Sequence, residues 1–330
     1  MSIRPSFGAV VPDKNAYQAD LGTKITRAAP LRLEVDGPIS LDEPWRYLWP
    51  TRDQFGRGTC VAFGTIAAIE LLRAREMDMP PERLSEQFLH EQMLSQFPLA
   101  LAEIDTMPEG GSLLRQAWQV IENRGVLDAD KQPYRPAAHG IGPSGPRAAA
   151  DLEAAADTQR FTCLSYGRVG HPKDGDDPRT VFFSSGDEIA LTLLNYLKDG
   201  YPVVIGIPLF LHPSGLTNWT LPSVLAQGRV HCPDDADAPA LEGPRDDGHV
   251  ICLTGFIPDA AEPLGGWFTF RNSWGTEFAA RALGDAAPVG SAGRGNGILS
   301  ATHVNAYCWE YLVPGPGRDD QPATALPTTS

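Results

Sequence analysis

The 330-residue chain contains no run of 18 or more apolar residues, so no membrane-spanning helix is expected. Its first twenty residues, MSIRPSFGAVVPDKNAYQAD, lack the apolar core of a secretory signal. Cysteine is scarce. Cys60, Cys163, Cys232, Cys252 and Cys308 are odd in number and widely spread, which does not make a disulfide framework and suits a reducing compartment. These absences lead to the expectation of a cytoplasmic protein, with export by a route lacking a cleaved signal left open. Positive charge is also short: 27 Lys and Arg stand against 41 Asp and Glu, a net charge of −14. That balance argues against nucleic acid as a partner, and no membrane partner is expected either. There is no internal repeat. A hydrophobic content of 42% is ordinary for a globular protein and allows one large domain or two lobes.

What is present divides into two textures. Residues 1–37 read as an extended leader lying on the body, rich in Pro and polar residues. Residues 60–76 carry the strongest helical pattern, with Ala62, Phe63, Ile66, Ile69 and Leu72 recurring at three- and four-residue spacing. A second helix is predicted over Leu84–Leu94 with Ser85 as N-cap. A third is predicted between Gly110 and Gly125, closing on Gly125, and GDEIALTLLNYLKDG reads as a further one. Together they make a helical lobe over roughly 55–200. From Tyr201 short β-rich runs take over: PVVIGIPLF, HVICLTGFI and GWFTFRNSW, a second lobe over roughly 201–313. The fold class is therefore α+β. AAHGIGPSGPRAAADLEAAAD reads as a surface excursion, the stretches 212–248 and 279–297 as long functional or mobile loops, and 314–330 as a disordered tail.

The chemistry concentrates around QFGRGTCVAFGTIAAIELL, Gln54 to Leu72. Cys60 stands where a Gly-bearing loop enters a helix. Backbone N–H groups and the helix dipole favour negative charge there, which lowers a thiol pKa toward the thiolate. A nucleophilic cysteine needs a base and a group to orient that base. His249 begins the β-run HVICLTGF and Asn272 ends another, FRNSWG. Gln54, six residues before Cys60, carries an amide able to donate to a developing oxyanion. The pairs His231–Cys232 and His249–Cys252 invite a zinc site. However, His249 and Cys252 are three apart on an extended strand and point to opposite faces, so no metal is expected.

These segments resemble the papain-like cysteine peptidases. DQFGRGTCVAF is similar to that family's active-site segment, DGHVICLTGF to its His segment and FTFRNSWGTEF to its Asn segment. LSEQFL, EGGSLLRQAWQVIENRGV and QPY resemble its Leu-Ser-Glu-Gln helix, its Gly-Gly segment and its Tyr-Pro-Tyr stretch, all in the family's order over roughly residues 38–312. The resemblance implies two lobes, one helical and one an antiparallel barrel-like sheet, with a cleft between them. It implies Cys60 as nucleophile, His249 as base, Asn272 as its orienting group, and Gln54 with the Cys60 N–H as oxyanion hole. Trp274 would cover the His249–Asn272 contact. Gly110 and Gly111 would run along the substrate backbone, and Gly248 and Val250 would line the cleft. The partner would be a protein or peptide substrate, with no cofactor.

Several departures stand out. Arg57 replaces a cysteine usually held in a disulfide, whose partner would fall at Pro108 or Glu109. Val61 replaces a tryptophan, and Gly248 an aspartate. His249 lies 189 residues after Cys60, beyond the roughly 130–150 usual in the family, which the long loops account for. A raised His249 pKa beside a depressed Cys60 pKa is expected of a thiolate–imidazolium pair. Two alternatives stay open: an acyltransferase with the same triad, and a binding module whose cleft is occluded. The leader is a candidate inhibitor, although it is short and not helical like the family's propeptide. The acidic run before His249 reads as a solvated loop or an overhang on the cleft.

Overall fold

The computed structural model describes residues 9–10, 32–97, 111–136, 150–157, 159–168, 189–244, 247–280 and 293–318. In chain order the elements are β1 (Ala9–Val10), β2 (Ile39–Ser40), α1 (Cys60–Met77), α2 (Glu86–Gln96), α3 (Leu114–Asn123), α4 (Ala150–Asp157) and β3 (Arg160–Arg168). There follow α5 (Ile189–Lys198), β4 (Val203–Pro208), α6 (Pro222–Gln227), β5 (Arg229–Val230), β6 (Asp247–Pro258), β7 (Gly266–Arg271), β8 (Asn296–Ser300), α7 (Ala301–Tyr307) and β9 (Glu310–Arg318). The strands join in one open sheet, β3-β9-β4-β6-β7-β8-β5, with β1 and β2 added along β6. Pairing is antiparallel except between β5 and β8. The α+β expectation holds. The division differs in detail: β3 comes from the stretch expected to be helical yet pairs with β9, and α4 lies in the expected excursion. β9 runs on through Pro314 to Arg318, residues assigned by composition to the tail. Among the described residues no helix is long and apolar enough to cross a membrane.

α1 is the axis of the molecule. Every residue from Cys60 to Leu72 is buried, which explains why its sequence is apolar on all sides rather than on one stripe. It ends at Asp78, in the left-handed region with φ of 51°, whose N–H returns to Ala74 O. Gly64, one turn after Cys60, lets α1 lie directly on the sheet. A Cβ there would stand 2.8 Å from Val250 Cγ1 and 3.2 Å from Val204 Cγ1. Because Val250 follows His249, this contact brings the start of α1 and the start of β6 to the same end of the molecule. α2 begins as expected at Ser85, whose Oγ accepts from Phe88 N at 2.9 Å and donates to Gln132 O at 2.5 Å. α3 closes before Gly125, where φ is +77° and a Cβ would lie 2.0 Å from Ala156 O, so only glycine fits. β6 is buried over nine consecutive residues, Gly248 to Phe256, hence its near-continuous apolar run.

A charged cluster ties these elements together. The fully buried Glu70 of α1 accepts from Trp49 Nε1 (2.7 Å), Arg52 Nη2 (2.6 Å) and Leu84 N (2.7 Å). Arg52 also pairs with Glu86 of α2 at 2.6 Å. Burial pushes Glu86 up to about 7, against the pull of Arg52. Arg271, at the end of β7, stacks 3.6 Å from the Trp49 ring centroid and donates to Trp49 O and Pro50 O. Replacing Glu70 with Ala removes the buried acceptor of the Arg52 guanidinium, the Trp49 indole N–H and the Leu84 N–H. A loss of about 3–5 kcal/mol in denaturant unfolding is expected, the range for breaking a buried ion pair; a loss under about 1 kcal/mol would show that water reaches the cluster.

Candidate active site

His249 and Asn272 meet. His249 Nε2 lies 2.8 Å from Asn272 Oδ1. Ser273 N also donates to that Oδ1 at 2.8 Å, which fixes the amide orientation. Oδ1 only accepts, so Nε2 carries the proton, and in the neutral ring Nδ1 is the basic nitrogen. The same strand end reaches Gln54. Residues 52–54 run antiparallel to 273–275 through Gln54 N→Ser273 O (2.7 Å), Gly275 N→Arg52 O (3.0 Å) and an Asp53–Trp274 bridge. Gly275 sits at φ +65°, the physical reason for glycine after Asn-Ser-Trp. Ser273 Oγ donates to Gln54 Oε1 at 2.5 Å. One chain of bonds therefore runs Gln54–Ser273–Asn272–His249. Ser273 was not singled out from the sequence; its place between two chosen residues was the available signal.

The imidazole is walled in by aromatic rings. Trp274 lies 5.0 Å from it by centroid, and Trp219 meets it edge-on at 4.7 Å while also touching Trp274 and Phe270. Trp219 was missed, because it sits in a stretch that reads as a polar loop. That loop is built: Asn218 exchanges bonds with Phe210 and donates Nδ2 to His231 O at 2.8 Å. The acidic run before β6 is mostly exposed among its described residues, with Cys232 buried and Asp235 half-buried. Against the effect of its burial, the His231 ring 3.6 Å away and hydrogen bonds from Ser300 Oγ and Cys232 N hold Asp235 at about 2. Cys60, Gln54 and His249 are each 0% exposed. Burial lowers His249 to about 4, with the Asn272 bond opposing. The direction is opposite to the raised imidazole expected from the sequence, because burial among aromatic rings disfavours the charged form.

Cys60 is the first residue of α1, where N–H groups have no intrahelical acceptor. Its loop is stiff. Phe55 takes φ of 53°, with its N–H bonded to Asp53 Oδ1 at 2.6 Å, and Gln54 Nε2 donates to Arg57 O at 2.7 Å. Arg57 itself is buried and donates Nη1 to Gln87 Oε1 and Arg135 O, both at 2.8 Å. The other thiols are held inert: burial pushes Cys163 up to about 12 and Cys232, Cys252 and Cys308 higher. Among the described residues no group of three or more His, Cys, Asp or Glu is placed to hold a metal ion.

No protein-family model and no curated protein matches the chain in sequence. Solved structures do match in shape. Xylellain, a cysteine protease from Xylella fastidiosa, superposes with a TM-score of 0.57 over 96% of this chain and 99% of its own, at 16% identity. Procathepsin B S9 from Trypanosoma congolense gives 0.54 over 95% and 87%, at 12% identity. The fold is papain-like.

Within this papain-like fold the departures acquire reasons. The loop carrying Arg57 is tied down by polar contacts where the family would use a disulfide; Pro108, Glu109 and Gly110 lie outside the described residues. Gly111 is buried, and Val250 faces Gly64 of α1. Gly248 cannot be aspartate, because Trp309 occupies the space: a Cβ would fall 1.7 Å from Trp309 Cη2 and 2.8 Å from Ile207 O. The same indole lies against Gly206, where a Cβ would be 2.5 Å from Nε1. The ground beside Gly206 and Gly248 is filled by this ring. Gly248→Asp is expected to lower stability by about 3 kcal/mol, the upper end for overpacking a filled site. An unchanged Tm would mean that Trp309 swings away freely.

The histidines give a second expectation. His90 is lowered to about 3, chiefly by burial and then by Arg57, and His303 to about 4, chiefly by burial. With His249, all three sit below the ordinary 6.5, so the unfolded chain takes up their protons first. Their stabilisation is complete above about pH 6.5 and is lost as pH falls toward 4. The Tm should therefore drop across that window, and a flat Tm would show that the imidazoles are hydrated.

Proposed function

We propose that the protein is a cysteine endopeptidase, with Cys60 as nucleophile, His249 as base and acid, Asn272 orienting the ring, and Gln54 with the Cys60 N–H as oxyanion hole. The observation that carries this reading is the 2.8 Å bond between His249 Nε2 and Asn272 Oδ1, in a chain of bonds that ends on Gln54. It leaves Nδ1 as the basic nitrogen at the end of β6 that abuts α1. Sγ of Cys60 adds to the scissile carbonyl carbon, and the oxygen takes up negative charge toward Gln54 Nε2–H and Cys60 N–H. Protonated His249 passes its Nδ1 proton to the leaving amine, the C–N bond breaks, and a thioester remains. Water then attacks with its proton taken by His249, releasing the acid and the thiol. Trp274 and Trp219 keep bulk water off the His249–Asn272 bond during these steps. Gly111 offers backbone without a side chain to a peptide, Gly110 is assigned the same role from the sequence, and Gly248 offers its strand edge, where Ala9 pairs.

The leader supports a latent form. Ala9 and Val10 pair antiparallel with Gly248 and Asp247, one residue from His249, as an extended peptide adding a strand to β6 would. With Cys60 and His249 fully buried, we take the described state as closed and the leader as its inhibitor. The body starts before residue 37, since Leu33 is in the core and its N–H donates to Leu264 O at 2.7 Å. The truncation to compare with the full chain therefore removes residues 1–31.

Labelling with an epoxysuccinyl cysteine-peptidase inhibitor, read by intact mass and peptide mapping, tests the reading. One adduct on Cys60 is expected, absent in Cys60→Ala and His249→Ala, and formed at least about tenfold faster after truncation if a single strand of contacts holds the cleft shut. No adduct in either form would remove the peptidase reading. Products that carry an added amine instead of water would make the enzyme an acyltransferase.

A further inference from the structure

We propose that the Tyr134 hydroxyl is a positioning group for the oxyanion hole, locking Gln54 and the residue before Cys60 into one register. This rests on the peptidase reading of the site. Tyr134 Oη lies 2.8 Å from Gln54 O and 2.9 Å from Thr59 Oγ1. The Gln54 carbonyl can only accept, so the phenol donates to it. A phenol has one proton, so the Thr59 hydroxyl donates to the Tyr134 oxygen. A single oxygen thus joins the two ends of the loop that carries both donors of the hole, the Gln54 amide and the N–H of Cys60.

The geometry at Thr59 supports this assignment. Thr59 is the N-cap of α1, a position where a threonine side chain normally accepts from the first turn of the helix, yet it makes no side-chain cap bond. Its hydroxyl is turned to Tyr134 instead. A local preference given up beside a reacting group is where a functional constraint is expected.

Tyr134 is held independently of its hydroxyl. Its ring meets Phe63, three residues after Cys60 on α1, edge-on at 4.8 Å and 90°. The Arg57 guanidinium lies 4.9 Å from the ring centroid and bonds the neighbouring Arg135 O. Removing the oxygen alone therefore leaves the ring packed. The hole needs its two donors placed to within fractions of an ångström of where the oxyanion forms. The hydroxyl fixes the spacing between them.

The test uses the full chain and two rates on the same preparations. Acylation of Cys60 by a p-nitrophenyl ester passes through an oxyanion. Alkylation by iodoacetamide consumes the thiolate without forming one. Tyr134→Phe and Thr59→Val should each acylate about 10-fold more slowly, the loss of one positioning hydrogen bond, with alkylation unchanged. Thr59→Ser, which keeps the hydroxyl, should keep the wild-type ratio of the two rates. Unchanged acylation in Tyr134→Phe overturns the proposal, and so does an equal fall in both rates, which would mark a general loosening of the site. A wild type that is acylated but cleaves no peptide fails the peptidase reading alone, and the ratio still decides Tyr134. A wild type that accepts no acyl group either as the full chain or after removal of residues 1–31 overturns both.

Discussion

Three segments distant in sequence bring the site together, and one buried charge cluster fixes their spacing. Glu70 belongs to the helix that starts with Cys60. Arg52, its ion-pair partner, precedes Gln54 by two residues. Arg271, stacked on the Trp49 that also bonds Glu70, immediately precedes Asn272. Gln54 and Asn272 thus lie within two residues of a member of the cluster, and Cys60 lies on the same helix as Glu70. Buried charges are costly to desolvate and lose heavily when a partner is removed. The cluster consequently has few arrangements available to it, and that restriction passes to Cys60, Gln54 and Asn272.

The second constraint is dryness. Trp219, Trp274 and Trp309 occupy ground that water or substrate would otherwise take. In this setting burial lowers the His249 pKa to about 4, against the hydrogen bond to Asn272. Residues 9–10 pair with β6 at Asp247 and Gly248, beside His249.

Much of this was legible in the chain. The run from Cys60 to Leu72 could only be a buried helix, and Ser85 and Gly125 mark helix ends by capping chemistry that needs no tertiary context. Gln54, Cys60, His249 and Asn272 were selected from motif and spacing. Ser273 was adjacent but silent, since a serine hydroxyl has no preferred partner until the opposing strand is placed. Trp219 was hidden in a Pro- and Gly-rich stretch whose composition suggests a loose loop. Asn218, bonded on both sides, shows instead that the loop is pinned. Trp309 gave no sign, because nothing in its neighbours tells that its indole fills the space beside Gly206 and Gly248.

By itself the sequence determined which residue types could do the chemistry and where helices and strands start, because propensity, capping and periodicity act over a few residues. Only the tertiary structure decided the tautomer of His249, the route from Gln54 through Ser273 to Asn272, the ring that forbids an aspartate at 248, and the tie between Tyr134 and Thr59. Each of these depends on distances between residues tens to hundreds of positions apart, and such distances are set by packing and buried charge, which no local pattern encodes.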